Sequence, residues 1–219
     1  MTLPADYDPT QSYPLAIEPH AFTEQFQFLA ESPFERNTIM IYPSDPGGQS
    51  GAIHSWWYGY AAEHNYKEDG SIPTSGPIAN FTEQRVMRAV DEVITNSDFN
   101  VDENLIHAFG HSMGASGALA LGIRYGSLLS GIFASQPMTD YASSPTFQEQ
   151  LVQLWGEQSD NLPIKNGGPH SEDISFYGVD GINVGVWDWM DHQKQLVERR
   201  GDTFAYLMTS HGKIDTTID

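Results

Sequence analysis

The sequence predicts an α/β fold with a doubly wound, mostly parallel sheet that is flanked by helices. Short apolar runs recur along the chain, segments with helical spacing separate them, and most runs are apolar throughout instead of alternating with polar residues. Runs of this kind are typical of parallel sheets whose crossover helices cover both faces. The chemistry of such sheets lies at the carboxyl ends of the strands, so the residues after each run are the candidates for a site.

Five apolar runs are the candidate strands. They are Leu15 to Ile17, Thr38 to Tyr42, Leu105 to Phe109, Gly131 to Ser135 and Phe204 to Thr209. One helix is predicted after Asn80, which has the spacing of a capping box with Glu83. Its apolar face consists of Val86, Val90, Val93 and Ile94. A second helix, rich in small residues, is predicted from Ala115 to Arg124 and ends before Gly126.

Length, charge and cysteine content limit the possible functions. The 219 residues, 39% of them hydrophobic, are enough for a single domain that spans residues 1–219. The formal net charge of -19 would repel nucleic-acid phosphates and anionic membranes, so neither is expected as a partner. The absence of cysteine excludes disulfides and a cysteine nucleophile. The histidines lack the spacing of a metal pair, and neither a metal nor a cofactor is expected.

The strongest motif is Gly110-His111-Ser112-Met113-Gly114, which directly follows a candidate strand and opens the small-residue helix. A sharp turn between strand and helix holds the serine in a strained conformation, and the flanking glycines let neighbouring backbone pass. The hydroxyl then lies at a helix N-terminus, where the dipole and free amides favour negative charge. The motif therefore predicts Ser112 as a nucleophile, and the alternative is a chance occurrence of these turn residues.

With Ser116-Gly117-Ala118-Leu119 after it, the motif resembles the nucleophile elbow of α/β-hydrolase serine esterases. The resemblance is to the polyhydroxybutyrate depolymerase and feruloyl esterase group and, more distantly, to cutinase-like polyester hydrolases. Softer matches are Leu3 to Pro9, Trp56 to Gly59 and Val101 to Asn104. The resemblance implies hydrolysis of aryl, hydroxyalkanoate or polyester-type esters, with a small-molecule or polymeric substrate. It also implies secretion, although a cytoplasmic location stays open because the N-terminus does not resemble a signal peptide.

Acyl transfer needs two backbone N–H groups that stabilise the oxyanion. The residue after the nucleophile, Met113, is expected to supply the first. Relatives carry the second on the loop after an early strand, in a His-Gly or Pro-Gly sequence followed by an aromatic residue and threonine. This pattern indicates Phe22, although Ala21 stands where glycine is usual. The alternative is an ordinary loop with the Phe22 ring in the core.

The triad of these enzymes follows the order serine, acid, histidine. Residues 210–215 resemble the family's His-Gly-x-x-Asp loop, so Asp215 is predicted as the acid, with Asp219 as a weaker substitute. No histidine follows Asp215, and the resemblance therefore implies that a C-terminal segment with the base, a final strand and a helix is missing. In the alternative, His211 is the base and is paired with an earlier acid. The earlier acids considered are Asp140, Asp180 and Asp188.

Two further questions stay open at the level of sequence. Trp56 and Trp57 either form part of a substrate-binding subsite or pack in the core. The rival functions are a peptidase of the same fold and a non-catalytic binding protein that has lost its base. The sequence does not predict the oligomeric state.

Overall fold

The elements of the fold are taken from a computed structural model that describes residues 1–24, 37–45, 47, 53–65, 71–170, 184–213, 215 and 217–218. The strands are β1 (Tyr13–Ile17), β2 (Ile39–Ile41), β3 (Tyr60–Ala61), β4 (Ile78–Ala79), β5 (Val101–His111), β6 (Gly131–Ser135), β7 (Ile164–Lys165) and β8 (Tyr206–Ser210). The α-helices are α1 (Phe81–Thr95), α2 (Met113–Arg124), α3 (Gln148–Trp155), α4 (Val186–Trp189) and α5 (His192–Glu198). A short 3-10 turn, Pro145–Phe147, precedes α3.

A five-stranded sheet forms the centre of the fold, in the order β2-β1-β5-β6-β8. Every neighbouring pair in it is parallel. Each of its five strands overlaps one of the five predicted apolar runs, so the predicted α/β class with a parallel sheet is confirmed. A second, small sheet has the order β3-β4-β7 and pairs β3 with β4 in the antiparallel sense.

The two faces of the large sheet differ in the described residues. Ile106, Ala108, Ile132 and Ala134 lie on one face and are buried. Helix α2 packs on this face, so closely that a Cβ at Gly122 would lie 2.5 Å from Ile132 Cδ1. On the opposite face Phe133 and Met208 are 41% and 55% exposed. Strands β5 and β6 therefore alternate in burial, although their sequences are apolar on both faces.

Helix α1 buries Val86, Val90 and Val93, as its apolar spacing predicted. The predicted capping box is wrong, because the Asn80 side chain makes no capping hydrogen bond. Instead, Asn80 Oδ1 accepts hydrogen bonds from Gln84 Nε2 and from the backbone N–H of Gly167. Asn80 therefore links the start of α1 to the loop after β7. None of the described helices has the length and the apolar character needed to cross a bilayer.

Candidate active site

The turn between β5 and α2 holds Ser112 in a strained backbone conformation. Its φ is 54° and its ψ is -124°, a region that L-residues rarely adopt and that costs about 1–3 kcal/mol. The residue is partly exposed and precedes the first residue of α2. The hydroxyl therefore lies at a helix N-terminus, as the motif predicted.

The glycines on either side of Ser112 allow a close approach of three backbone segments. A Cβ at Gly110 would lie 2.5 Å from the backbone carbon of Gly114. A Cβ at Gly114 would overlap the carbonyl oxygen of Pro19, in the loop after β1. Because backbone atoms cannot move aside as a flexible side chain can, both positions require glycine.

Two sets of hydrogen bonds fix the strained turn to the next strand. The Ser112 N–H donates to the carbonyl of Ser135 at 2.9 Å. Ser116 Oγ donates to the carbonyl of Ser112 at 3.2 Å and accepts from the N–H of Met138 at 2.8 Å. The turn is thus connected both to the end of β6 and to the residues that follow it.

The two predicted oxyanion donors lie on segments that contact each other. Met113 is the first residue of α2, and Phe22 is on the loop after β1 whose Pro19 touches Gly114. Within the described part of the chain, neither the Met113 N–H nor the Phe22 N–H has an acceptor in the protein. The ring of Phe22 is partly buried and lies 4.7 Å from that of His54, between centroids. Phe22 therefore packs on the core, and its backbone N–H has no acceptor among the residues that the structure describes.

Asp215 follows β8 and is held by three donors. Its Oδ2 accepts from Gln136 Nε2 at 2.7 Å, and its Oδ1 accepts from the N–H groups of Thr217 and Ile218 at 2.9 and 3.0 Å. The two backbone N–H groups and the Gln136 amide lower the pKa of Asp215. Its carboxylate is therefore charged and fixed in orientation, as an acid of a triad must be.

Ser112, Gln136 and Asp215 lie at the same edge of the sheet. In the register of the strands, His111 is opposite Ser135, and Ser135 is opposite Ser210. These are the last residues of β5, β6 and β8, and the serine, the glutamine and the aspartate come after them. The structure therefore places the predicted nucleophile and the predicted acid at the carboxyl ends of β5 and β8, the two strands that flank β6.

The histidines near this edge have different environments. His211 is exposed, and its charge contributes to the lowered pKa of Asp215. His111 is exposed as well, whereas His20 and His54 are buried beside the loop after β1. Among the residues that the structure describes, no histidine is hydrogen-bonded to the Ser112 hydroxyl.

The earlier acids of the alternative triad have other partners. Asp140 accepts from the N–H of Ala142 at 3.0 Å. Asp188 forms an ion pair with Lys194 at 2.6 Å, and its other oxygen accepts from Asn161. Neither carboxylate is bonded to His211. Asp180 and Asp219 lie outside the described residues.

Trp56 and Trp57 are buried, with only 1% and 4% of their surface exposed. The Trp56 ring lies 4.7 Å from that of Phe147, and the Trp57 ring lies 4.9 Å from that of His20. Of the two roles that the sequence left open, packing is the one that these contacts describe. In the described part of the chain, no three His, Asp or Glu side chains are grouped closely enough to hold a metal ion.

Sequence reasoning missed Asp45 and Gln136, which bond to the two sides of this site. Asp45 accepts several hydrogen bonds in the loop after β2, and Gln136 binds the predicted acid. Both follow strands of the large sheet at its carboxyl end. That position marks both residues as candidates for a site, although it does not indicate which partners they bind.

Several solved serine hydrolases have a similar fold. FphF, a fluorophosphonate-binding serine hydrolase of Staphylococcus aureus, has a TM-score of 0.53 at 12% identity, over 94% of this chain and 66% of its own. The S-formylglutathione hydrolase FrmB of the same organism has a TM-score of 0.52 at 14% identity, and the match covers 98% of this chain and 72% of FrmB. An S-formylglutathione hydrolase from Agrobacterium tumefaciens has a TM-score of 0.54 at 14% identity, and the match covers 94% of this chain and 78% of that enzyme.

This chain spans just under two thirds of the length of FphF. No protein-family profile and no curated protein sequence matches it. At identities of 12–14% the likeness concerns the fold alone, and it agrees with the parallel order of the large sheet. The chain has the α/β-hydrolase fold.

Proposed function

We propose that this chain is a carboxylic ester hydrolase that acts through Ser112 and an acyl-enzyme intermediate. The observation that carries the proposal is the strained conformation of Ser112 at the N-terminus of α2. Strain of this kind persists only where the surrounding structure enforces it, and it is concentrated at functional sites. The backbone N–H groups of Met113 and Phe22, which have no acceptor among the described residues, lie on the segments beside the serine.

In the first half of the reaction, Ser112 Oγ attacks the ester carbonyl carbon, and its proton passes to a histidine base. The carbonyl oxygen becomes an oxyanion, which accepts hydrogen bonds from the N–H groups of Met113 and Phe22. The bond to the leaving alcohol then breaks, and the base returns the proton to that oxygen. The products of this half are the free alcohol and an acyl group bound to Ser112.

In the second half, a water molecule gives a proton to the base and attacks the acyl carbonyl. The second oxyanion collapses, the bond to Ser112 Oγ breaks, and the proton on the base returns to the serine. The products are a carboxylic acid and the regenerated hydroxyl. Atoms and charges balance without a metal or a cofactor.

Asp215 orients the base and stabilises its charged form. The fixed, ionised carboxylate suits this role, and the Gln136 amide holds it towards the exit of β6. In the alternative, His211 is the base and is paired with an earlier acid such as Asp140 or Asp188. The variant His211→Ala separates it from a base outside this sequence, because only the first assignment predicts a loss of turnover.

The proposed substrates are aryl, hydroxyalkanoate or polyester-type esters, either small or polymeric. The support is the resemblance of residues 110–119 to the elbow of esterases that cleave such bonds. A secreted location is proposed on the same basis. Two of the similar structures are named S-formylglutathione hydrolases, so a thioester also belongs among the compounds tested.

The test is a panel of p-nitrophenyl esters, a thioester and peptidyl anilides, assayed with the wild type, Ser112→Ala and Ser130→Ala. Ser130 is a matched control, because it lies before β6 at the opposite end of the sheet. The proposal predicts that esters are cleaved, that Ser112→Ala is inactive and that Ser130→Ala resembles the wild type. Cleavage of anilides in preference to esters indicates a peptidase. A folded full-length protein that cleaves none of the compounds contradicts the proposal.

A further inference from the structure

The loop after β1, residues 18–24, carries the proposed oxyanion donor Phe22 and touches the elbow directly. The carbonyl of Pro19 occupies the space that a Cβ at Gly114 would fill. The N–H of Glu18 donates to the carbonyl of Ile41, at the end of β2, at 2.9 Å. A small displacement of this loop would therefore move the Phe22 amide relative to Ser112.

The buried ring of His20 connects this loop to the loop after β2. His20 Nδ1 lies 2.8 Å from the carbonyl oxygen of Ala21, and His20 Nε2 lies 3.0 Å from the backbone nitrogen of Asp45. A carbonyl can only accept and a backbone N–H can only donate, so the ring is neutral and carries its proton on Nδ1. Burial favours this state, because it lowers the pKa of His20. Protonation would turn Nε2 into a donor that faces another donor.

The carboxylate of Asp45 extends the connection to a third loop. It accepts hydrogen bonds from Ser55 N–H at 2.9 Å, Ser55 Oγ at 2.6 Å, Gly47 N–H at 3.2 Å and Trp57 N–H at 3.3 Å. Burial by itself raises the pKa of Asp45, but the surrounding donors of His54, Ser55 and Gly47 outweigh it and lower the pKa. A charged carboxylate at 2% exposure therefore has its hydrogen bonds satisfied.

Trp57 completes this set of contacts by packing against α2, the helix that follows Ser112. A Cβ at Gly117, in the first turns of α2, would lie 2.5 Å from Trp57 Cγ. The same indole ring meets the His20 ring edge to face, with centroids 4.9 Å apart. The elbow, the loop after β1 and the loop after β2 are thus held together by buried contacts.

We propose that His20 and Asp45 are positioning residues, which fix the loop of Phe22 against the elbow by linking the loops after β1 and β2. The inference rests on the proposed function, because a fixed Phe22 amide matters only where an oxyanion forms. Neither residue touches the ester. Their contribution is to hold a donor in place before the reaction begins, which is the condition under which such donors are most effective.

The experiment measures amide hydrogen exchange of residues 18–24 in the wild type, His20→Phe, His20→Gln and Asp45→Asn. His20→Phe keeps a ring but loses both hydrogen bonds, so exchange in the loop should become about tenfold faster. The side-chain oxygen of His20→Gln can replace Nε2 as the acceptor, so exchange should return most of the way to the wild-type rate. The matched control is His192→Phe, since His192 is also 1% exposed and packs against Tyr141, outside residues 18–24.

The catalytic measurement is the turnover of a p-nitrophenyl ester. We expect kcat to fall about 10- to 100-fold in His20→Phe, with little change in KM, because an oxyanion donor acts on the transition state. Partial recovery in His20→Gln and wild-type turnover in His192→Phe complete the expected pattern. A merely structural role would lower the amount of folded protein without this separation of kcat from KM.

Unchanged exchange in the loop of His20→Phe, or an equal increase in His192→Phe, overturns the inference. Should His20→Phe not fold, Asp45→Asn decides it by the same criteria, with exchange followed in residues 53–57 as well. If the wild type has no esterase activity, the proposed function fails, and the exchange rates still show whether His20 fixes the loop. The two failures are thus distinguishable.

Discussion

The two sides of the elbow are built differently. On the side of the proposed oxyanion loop, Asp45 is 2% exposed and accepts hydrogen bonds from three residues in the buried loops after β2. On the side of the proposed acid, Asp215 is partly exposed and is held by the Gln136 side chain and by two residues of its own loop. The first side is part of the core, whereas the second is a solvated loop attached to the end of the sheet.

The difference separates two ways of preparing a catalytic group. Donors for an oxyanion must be fixed before charge develops, and burial among satisfied partners achieves this. An acid that orients a base needs its charge, which solvent and a few donors maintain at little cost. Changes on the oxyanion side should therefore affect folding and function together, and changes on the acid side should affect function alone.

The largest expected difference between the two sides appears when each carboxylate is removed separately. Asp45→Ala leaves the donors of Ser55, Gly47 and Trp57 without their acceptor, which should lower the free energy of unfolding by about 3–5 kcal/mol. Asp215→Ala should leave it close to the wild-type value, because solvent replaces the lost partner. Urea unfolding of both variants measures the contrast. Equal losses in the two variants would contradict it.

A smaller difference in stability is expected between two variants that each add one methyl group, one on either side of the elbow. In Gly114→Ala the new Cβ meets the Pro19 carbonyl, so the free energy of unfolding should fall by about 1–3 kcal/mol. In Gly212→Ala the nearest atom is Gln136 Nε2, at an ordinary 3.5 Å. Gly212→Ala should therefore unfold at the same temperature as the wild type. A stable Gly114→Ala protein would show that the loop after β1 is not packed against the elbow.

The smallest expected effect is a difference in the pH range over which each side weakens. Burial lowers the pKa of His20 below its ordinary 6.5. Below pH 6.5 the unfolded chain therefore binds a proton that the folded chain does not, and the stability that His20 contributes is complete above this pH and declines beneath it. The pKa of Asp215 is lowered from 3.8, so its contribution is complete above that value and is lost as the pH falls through the folded pKa.

The check is urea unfolding of the wild type, His20→Gln and Asp215→Asn between pH 7.5 and 3. From pH 7 to pH 5 the wild type should lose more stability than His20→Gln does. Asp215→Asn should follow the wild type over that range and depart from it only below about pH 4. If the stability of His20→Gln depends on pH as that of the wild type does, the protonation that destabilises the folded protein occurs at a residue other than His20.

The sequence was sufficient to predict the main sheet and the elbow. The strands that include Ile106 and Ile132 contain apolar runs long enough to show a pattern, and the glycines around Ser112 satisfy a local steric demand. Strands β3, β4 and β7 have two residues each, too few to show any period, and they were not predicted. Their presence depends on pairing between distant segments.

The polar connections of the site could not be predicted from the sequence. Asp45 bonds to Ser55 ten residues away, and Ser55 bonds in turn to Thr82 at 2.6 Å. Gln136 and Asp215 are 79 positions apart. No local pattern marks such partners, because the contacts exist only after the parallel strands have brought their carboxyl ends together. The roles of Trp56 and Trp57 could not be predicted either, because two adjacent tryptophans look the same in a sequence whether they bind substrate or pack in the core.

The most direct test of the central claim is covalent labelling with a fluorophosphonate probe, with the modified residue located by peptide mass spectrometry. The account predicts that one probe molecule attaches to Ser112, that Ser112→Ala is not labelled and that Ser130→Ala is labelled like the wild type. Labelling of another serine, or a folded full-length protein that the probe leaves unmodified, would contradict the assignment of Ser112 as an activated nucleophile.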